Sequence, residues 1–196
     1  YQTNIKAGVD VMEFGYKADK EMFDVKDFGK WKFCDDEDIR AVVGDNNTDL
    51  KIAVMADVGR CNYKQDIKPR AESPVDVIRV ATYINQIPAA VDVIEDAVAK
   101  GYEVTCNIMA ISNAQEADIR VALDLLGKSP VNVIYIVDSF GALFPEQIAR
   151  IAALYGEYAA KYGKKLGIHA HNNQQLAFAT VSYTHLRAHE TVLDLV

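Results

Sequence analysis

The sequence predicts an α/β chain built on a parallel sheet. Two observations lead there: six short runs rich in β-branched residues, and amphipathic helical patterns between most of them. Composition permits such a fold. The 196 residues are 50% hydrophobic and 25% charged, enough to bury a core within one domain.

The candidate strands are 9–14, 50–55, 77–81, 102–108, 131–137 and 165–171. Their near-continuous apolar character suits strands covered on both faces. Helices are expected between them. Residues 35–43 form one, and 87–100 another, with Val91, Ile94 and Val98 on one face and Gly101 as the stop. Asn113 and Glu116 have the spacing of a capping pair, ahead of the stripe Ile119, Ala122, Leu123 and Leu126. Pro145 opens a further helix that ends near Gly163. Residues 57–74 are expected to form a long polar loop with a helical piece. Pattern alone leaves a closed barrel and an open doubly wound sheet equally available. Neither Gly-x-Gly-x-x-Gly nor a Walker-type loop occurs, which argues against nucleotide binding.

A net charge of −7 repels phosphate backbones, so nucleic acid is not an expected partner. No run approaches the ~20 apolar residues of a membrane span, and the chain does not open on a signal peptide. Three scattered cysteines, Cys34, Cys61 and Cys106, form no CxxC pair and suit a reducing cytoplasm. Residues 181–196 read VSYTHLRAHETVLDLV, which coincides with a translated transposase sequencing adapter. This segment is expected to be a non-native tail behind a domain at 1–180. His185, His189 and Glu190, although spaced like a helical metal site, are therefore given no function.

The chemistry concentrates in Gly167-Ile168-His169-Ala170-His171-Asn172-Asn173. Alternate residues of a strand share a face, so His169 and His171 should point the same way and could hold one divalent cation. Two ordinary histidines at a strand end are the competing reading. Asp138-Ser139-Phe140-Gly141 follows another strand and should lie at the same rim. There Asp138 could orient a ligand or anchor the loop, Ser139 could donate to a substrate oxygen, and Gly141 could permit the turn. Glu13, Asp57, Arg79 and Asn107 fall near strand ends and are read as structural polar residues, with Arg79 able to pair with a buried carboxylate. No nucleophile elbow or Cys/His signature indicates covalent catalysis.

Three motifs in order carry a resemblance over residues 1–180: Ile78-Arg79-Val80-Ala81-Thr82, Asp138-Ser139-Phe140-Gly141-Ala142, and the His169/His171 segment. Together they resemble the pyruvate-aldolase branch of the metal-dependent lyase barrels that includes 3-hydroxy-3-methylglutaryl-CoA (HMG-CoA) lyase and isopropylmalate synthase. The resemblance implies an incomplete TIM (β/α)8 barrel with strands two to seven present and the first and eighth missing. It implies His169 and His171 as ligands of manganese or magnesium, and Ser139 and His169 as substrate contacts. A third ligand, an Asp, and the catalytic Arg and His belong to parts of the family pattern not found in this sequence. The implied reaction is metal-assisted cleavage of a 4-hydroxy-2-oxo acid to pyruvate and an aldehyde. The alternatives are Claisen condensation of acetyl-CoA with a 2-oxo acid, and a non-catalytic barrel fragment. A homo-oligomer and a dehydrogenase partner are left open, and the given chain is expected to be inactive.

Overall fold

The computed structural model describes residues 1–188, with side chains considered through residue 182. It contains one six-stranded parallel sheet in the order β1-β2-β3-β4-β5-β6, so each strand pairs with its sequence neighbour. The strands are β1 (Val11–Tyr16), β2 (Lys51–Asp57), β3 (Val77–Thr82), β4 (Glu103–Ile108), β5 (Val133–Asp138) and β6 (Lys165–Ala170). All six coincide with expected runs. The helices are α1 (Gln2–Lys6), α2 (Asp36–Val43), α3 (Tyr63–Asp66), α4 (Ile87–Ala99), α5 (Glu116–Lys128), α6 (Pro145–Tyr162) and α7 (Ala177–Ala188). α7 runs across the boundary expected at residue 180. His189 and Glu190 lie outside the described residues, as does the rest of the tail from 189 onward.

Consecutive strand order is what right-handed βαβ units give when every crossover lies on one side of the sheet. An open doubly wound sheet would instead reverse its order part-way. Here β1 and β6 remain unpaired with each other, so the architecture is an open, partial (β/α)8 barrel lacking its closing strands. Among the described residues, no helix is long and apolar enough to cross a membrane.

The two faces of the sheet differ in chemistry. Ile52, Val54, Ile78, Val80, Val104 and Ile134 point towards the helices and belong to the core. They meet Val93 and Ile94 of α4, Leu123 and Leu126 of α5, and Tyr155 of α6 in one buried cluster. The alternate residues line the concave face, and several are polar: Glu13, Arg79, Thr105, Asn107, Tyr135 and His169. A cavity of about 560 Å³ opens on that face, bordered by Glu13, Arg79, Thr105 and Tyr135. Its floor includes Val11, Val77 and Lys165 near the strand N-termini, so it lies below the histidines rather than around them.

The expected capping pair is not formed. Asn113 ends a 3-10 turn (Ile111–Asn113), and Gln115 is the residue at the N-terminus of α5, without a side-chain cap. The turn consumes the residues that a cap at Asn113 would have used. The 57–74 segment contains the short α3 and a 3-10 turn at Arg70–Glu72, as its mixed pattern suggests. Gly163 ends α6 at φ +64, in the left-handed conformation that glycine accepts readily. The three cysteines are free, and burial pushes each thiol up to about 12, which suits inert packing rather than nucleophilic work.

Candidate metal centre

His169 is the penultimate residue of β6, and His171 follows its end. Their rings lie on the same side, with centroids 4.8 Å apart and planes tilted by 36°. This rim also bears Ser139, because β5 and β6 pair in register with Val137 opposite His169 and Asp138 opposite Ala170.

Asp138 organises the rim through its backbone and its side chain. Its carbonyl accepts hydrogen bonds from the His171 ring Nδ1 at 2.9 Å and from the His171 backbone N–H at 3.3 Å. Its carboxylate accepts from the backbone N–H groups of Ala142 and Leu143, each at 3.1 Å. Of the two roles open to Asp138, loop anchoring is therefore the one formed. Asn173 Nδ2 donates to the Phe140 carbonyl at 2.9 Å, a second stitch between the two loops. Gly141 sits between them at φ +56.

Ser139 Oγ accepts the Ala110 backbone N–H at 2.8 Å, tying the β4–α5 connection to the rim. Ala110 is one of three non-glycine residues at positive φ among those described, which makes that anchor useful. The hydroxyl proton of Ser139 remains available for a ligand. Ser139→Ala is expected to cost about 1 kcal/mol by leaving the Ala110 N–H without its acceptor. A urea melt reads this directly, and an unchanged midpoint would mean that water replaces the hydroxyl.

Below the histidines, Arg79 joins three strands. Its Nη2 donates to Glu13 Oε1 at 2.6 Å, and its Nε faces Glu13 Oε2 as an ion contact not aligned for hydrogen bonding. Its Nη1 lies 3.3 Å from His169 Nδ1. The expected pairing of Arg79 with a carboxylate is therefore present, but both residues sit mid-strand on the concave face rather than at strand ends. Asp57 contacts Arg60 at 3.6 Å, and Asn107 is buried with Oδ1 lacking a hydrogen-bond partner. The link from Arg79 to His169 spans 90 residues of sequence, and no local motif signals it.

Burial, reinforced by Arg79 and by His171, holds the His169 pKa below its usual value. A neutral imidazole is the form that binds a metal. Burial raises the Glu13 pKa, and the Arg79 charge opposes that rise. Two imidazoles on one rim are chemically able to supply two positions of a divalent-cation site, although Arg79 stands at His169 Nδ1. They do not complete one: among the described residues, no group of three or more His, Cys, Asp or Glu side chains is placed to hold a metal ion.

No family model matches the chain. A 4-hydroxy-2-oxovalerate aldolase from Nocardia farcinica is 27% identical over 161 residues, covering 81% of this chain and 45% of that protein. One from Salinispora arenicola is 25% identical over 190 residues, covering 97% of this chain and 53% of that protein. The chain therefore spans about half the length of these curated relatives. Among solved structures, the N-terminal domain of a candidate aldolase from Bacteroides vulgatus aligns with the whole chain and 65% of its own, at TM-score 0.69 and 21% identity. HMG-CoA lyase from Brucella melitensis aligns with 71% of this chain and 54% of its own, at TM-score 0.57 and 13% identity. The fold is that of the HMG-CoA lyase-like barrels. At this superfamily level, the resemblance is to carbon–carbon lyases and aldolases. The carboxyl transferase domain of Rhizobium etli pyruvate carboxylase shares the same arrangement over 76% of this chain and 27% of its own, at TM-score 0.61 and 18% identity.

Proposed function

We propose that the residues at this rim belong to a divalent-metal-dependent aldolase that cleaves a 4-hydroxy-2-oxo acid to pyruvate and an aldehyde. The observation that carries the reading is the His169/His171 pair, side by side at the C-terminal rim with the His171 ring tied to the Asp138 carbonyl. Active sites of (β/α)8 barrels occupy that rim. Four-hydroxy-2-oxovalerate aldolases among the relatives support the choice of substrate class.

His169 and His171 would hold the cation, manganese or magnesium. When bound, such a cation supplies Lewis acidity towards the carboxylate and keto oxygens of a 2-oxo acid. The Asp138 carbonyl holds His171 at Nδ1 and leaves Nε2 as the nitrogen that would meet the cation, which lowers the cost of orienting that ligand. Ser139 would donate its hydroxyl proton to a substrate oxygen while its lone pair continues to hold Ala110. Arg79 and Glu13 form the charged floor beneath the pair. The remaining ligand, and the base that takes the 4-hydroxyl proton, would come from outside this open sheet.

A coupled assay for pyruvate tests the reading, with Mn2+ and a 4-hydroxy-2-oxo acid and without coenzyme A. A longer chain that closes the barrel is expected to release pyruvate, and the 196-residue chain to release little. Turnover that instead requires acetyl-CoA would assign the Claisen alternative. Efficient Mn2+-dependent turnover by the 196-residue chain would contradict the need for further ligands.

A further inference from the structure

We infer that Arg79 controls whether His169 can share a cation with His171, and that the two rings rest in opposite tautomers. The inference builds on the metal reading above and goes beyond it.

The tautomers follow from what each partner can do. A guanidinium carries only N–H donors, so at 3.3 Å from Arg79 Nη1 the His169 Nδ1 is the acceptor. The proton of the neutral His169 ring is then on Nε2. A carbonyl oxygen only accepts, so His171 Nδ1, at 2.9 Å from the Asp138 oxygen, carries its proton and leaves an Nε2 lone pair. In its neutral form His171 is therefore set to bind a metal through Nε2, whereas neutral His169 presents a donor there.

His169 can join His171 by either of two routes, and both displace Arg79. Ligation through Nε2 requires that nitrogen to lose its proton and Nδ1 to gain one by exchange with solvent. A protonated Nδ1 cannot accept from Arg79. Ligation through Nδ1 uses the very lone pair that Arg79 occupies. Glu13 makes the displacement feasible, because its carboxylate already holds Arg79 at Nη2 and faces Nε. On release, the guanidinium keeps a counter-ion, so no unpaired charge is left on the concave face. The Glu13–Arg79 pair is thus a positioning device that sets the metal affinity of the histidine pair.

Long-range proton–nitrogen NMR of histidine-labelled protein, assigned through single-histidine substitutions, reads the tautomers directly. The expected result is Nε2–H at His169 and Nδ1–H at His171; Nδ1–H at both overturns the inference. Ni2+, which imidazole binds more tightly than Mn2+, is then titrated and followed by broadening of the two rings. In Glu13→Gln/Arg79→Met, with folding checked by circular dichroism, the midpoint is expected about tenfold lower in Ni2+ than in the unaltered chain, since a charge-assisted hydrogen bond no longer competes. Equal or higher midpoints overturn the role of Arg79 and leave the metal reading standing. No broadening at either ring in either protein removes the metal reading and this inference with it. Should the double variant not fold, the tautomers of the unaltered chain decide.

Discussion

Alanine at His171 is expected to abolish Ni2+ broadening at His169, and in a chain that completes the site to reduce metal-dependent turnover by about a hundredfold or more. The bound is set by a weaker perturbation: loss of an outer partner of a metal-bound histidine already costs about 10–100-fold in affinity or activity. On the metal reading, removing one of the two imidazoles, whose centroids lie 4.8 Å apart, would take away a ligand itself. His169→Ala is expected to act likewise, with a distinguishing feature. It frees Arg79 Nη1 while Glu13 continues to hold the rest of the guanidinium, so the fold should survive. Circular dichroism and Ni2+ titration of both variants separate loss of the site from loss of structure. Binding unchanged in both would leave these histidines as ordinary strand-end residues.

The strands of this fold are legible because a parallel strand covered on both sides demands apolar, β-branched residues at nearly every position. β3 (VIRVAT) and β5 (VIYIVD) are such runs; the polar residues inside them, Arg79 and Tyr135, face the concave side, while Thr82 and Asp138 close their C-terminal ends. The histidine pair is legible for a related reason: a two-residue spacing on a strand fixes a shared face without any knowledge of neighbours. What sequence could not supply is anything set by strand closure. Glu13 meets Arg79 across 66 residues, and Arg79 meets His169 across 90. Those distances depend on how far the sheet curls. Ser139 illustrates the same limit, since a hydroxyl beside a strand end does not announce that its lone pair is taken by Ala110 on the adjoining connection. Asn113 erred in the other direction. The local cap spacing was present, but the chain closed a 3-10 turn first and α5 began three residues later.

Gly141→Ala is the other substitution expected to have a large effect, and it tests whether the two rim loops act as one unit. The residue sits at φ +56, where a Cβ costs about 1–2 kcal/mol from backbone sterics alone. At Gly141 the added atom also collides. It would lie 2.7 Å from the His171 carbonyl oxygen and 2.8 Å from the Asn173 backbone nitrogen. Both contacts are main-chain atoms, so relief requires the β5 and β6 loops to move apart rather than a side chain to rotate. That movement pulls against the Asp138–His171 and Phe140–Asn173 hydrogen bonds. The combined loss is expected to be about 2–4 kcal/mol. Gly163→Ala provides the control. Its φ of +64 imposes similar strain, but nothing lies within 4 Å of the new Cβ, so only about 1 kcal/mol should be lost. Urea midpoints of the two variants, read together with the His171 ring nitrogen shifts, separate backbone strain from loop collision. Equal midpoints and an undisturbed His171 ring in both would mean that the loops part freely and that Gly141 does not hold the histidine in place.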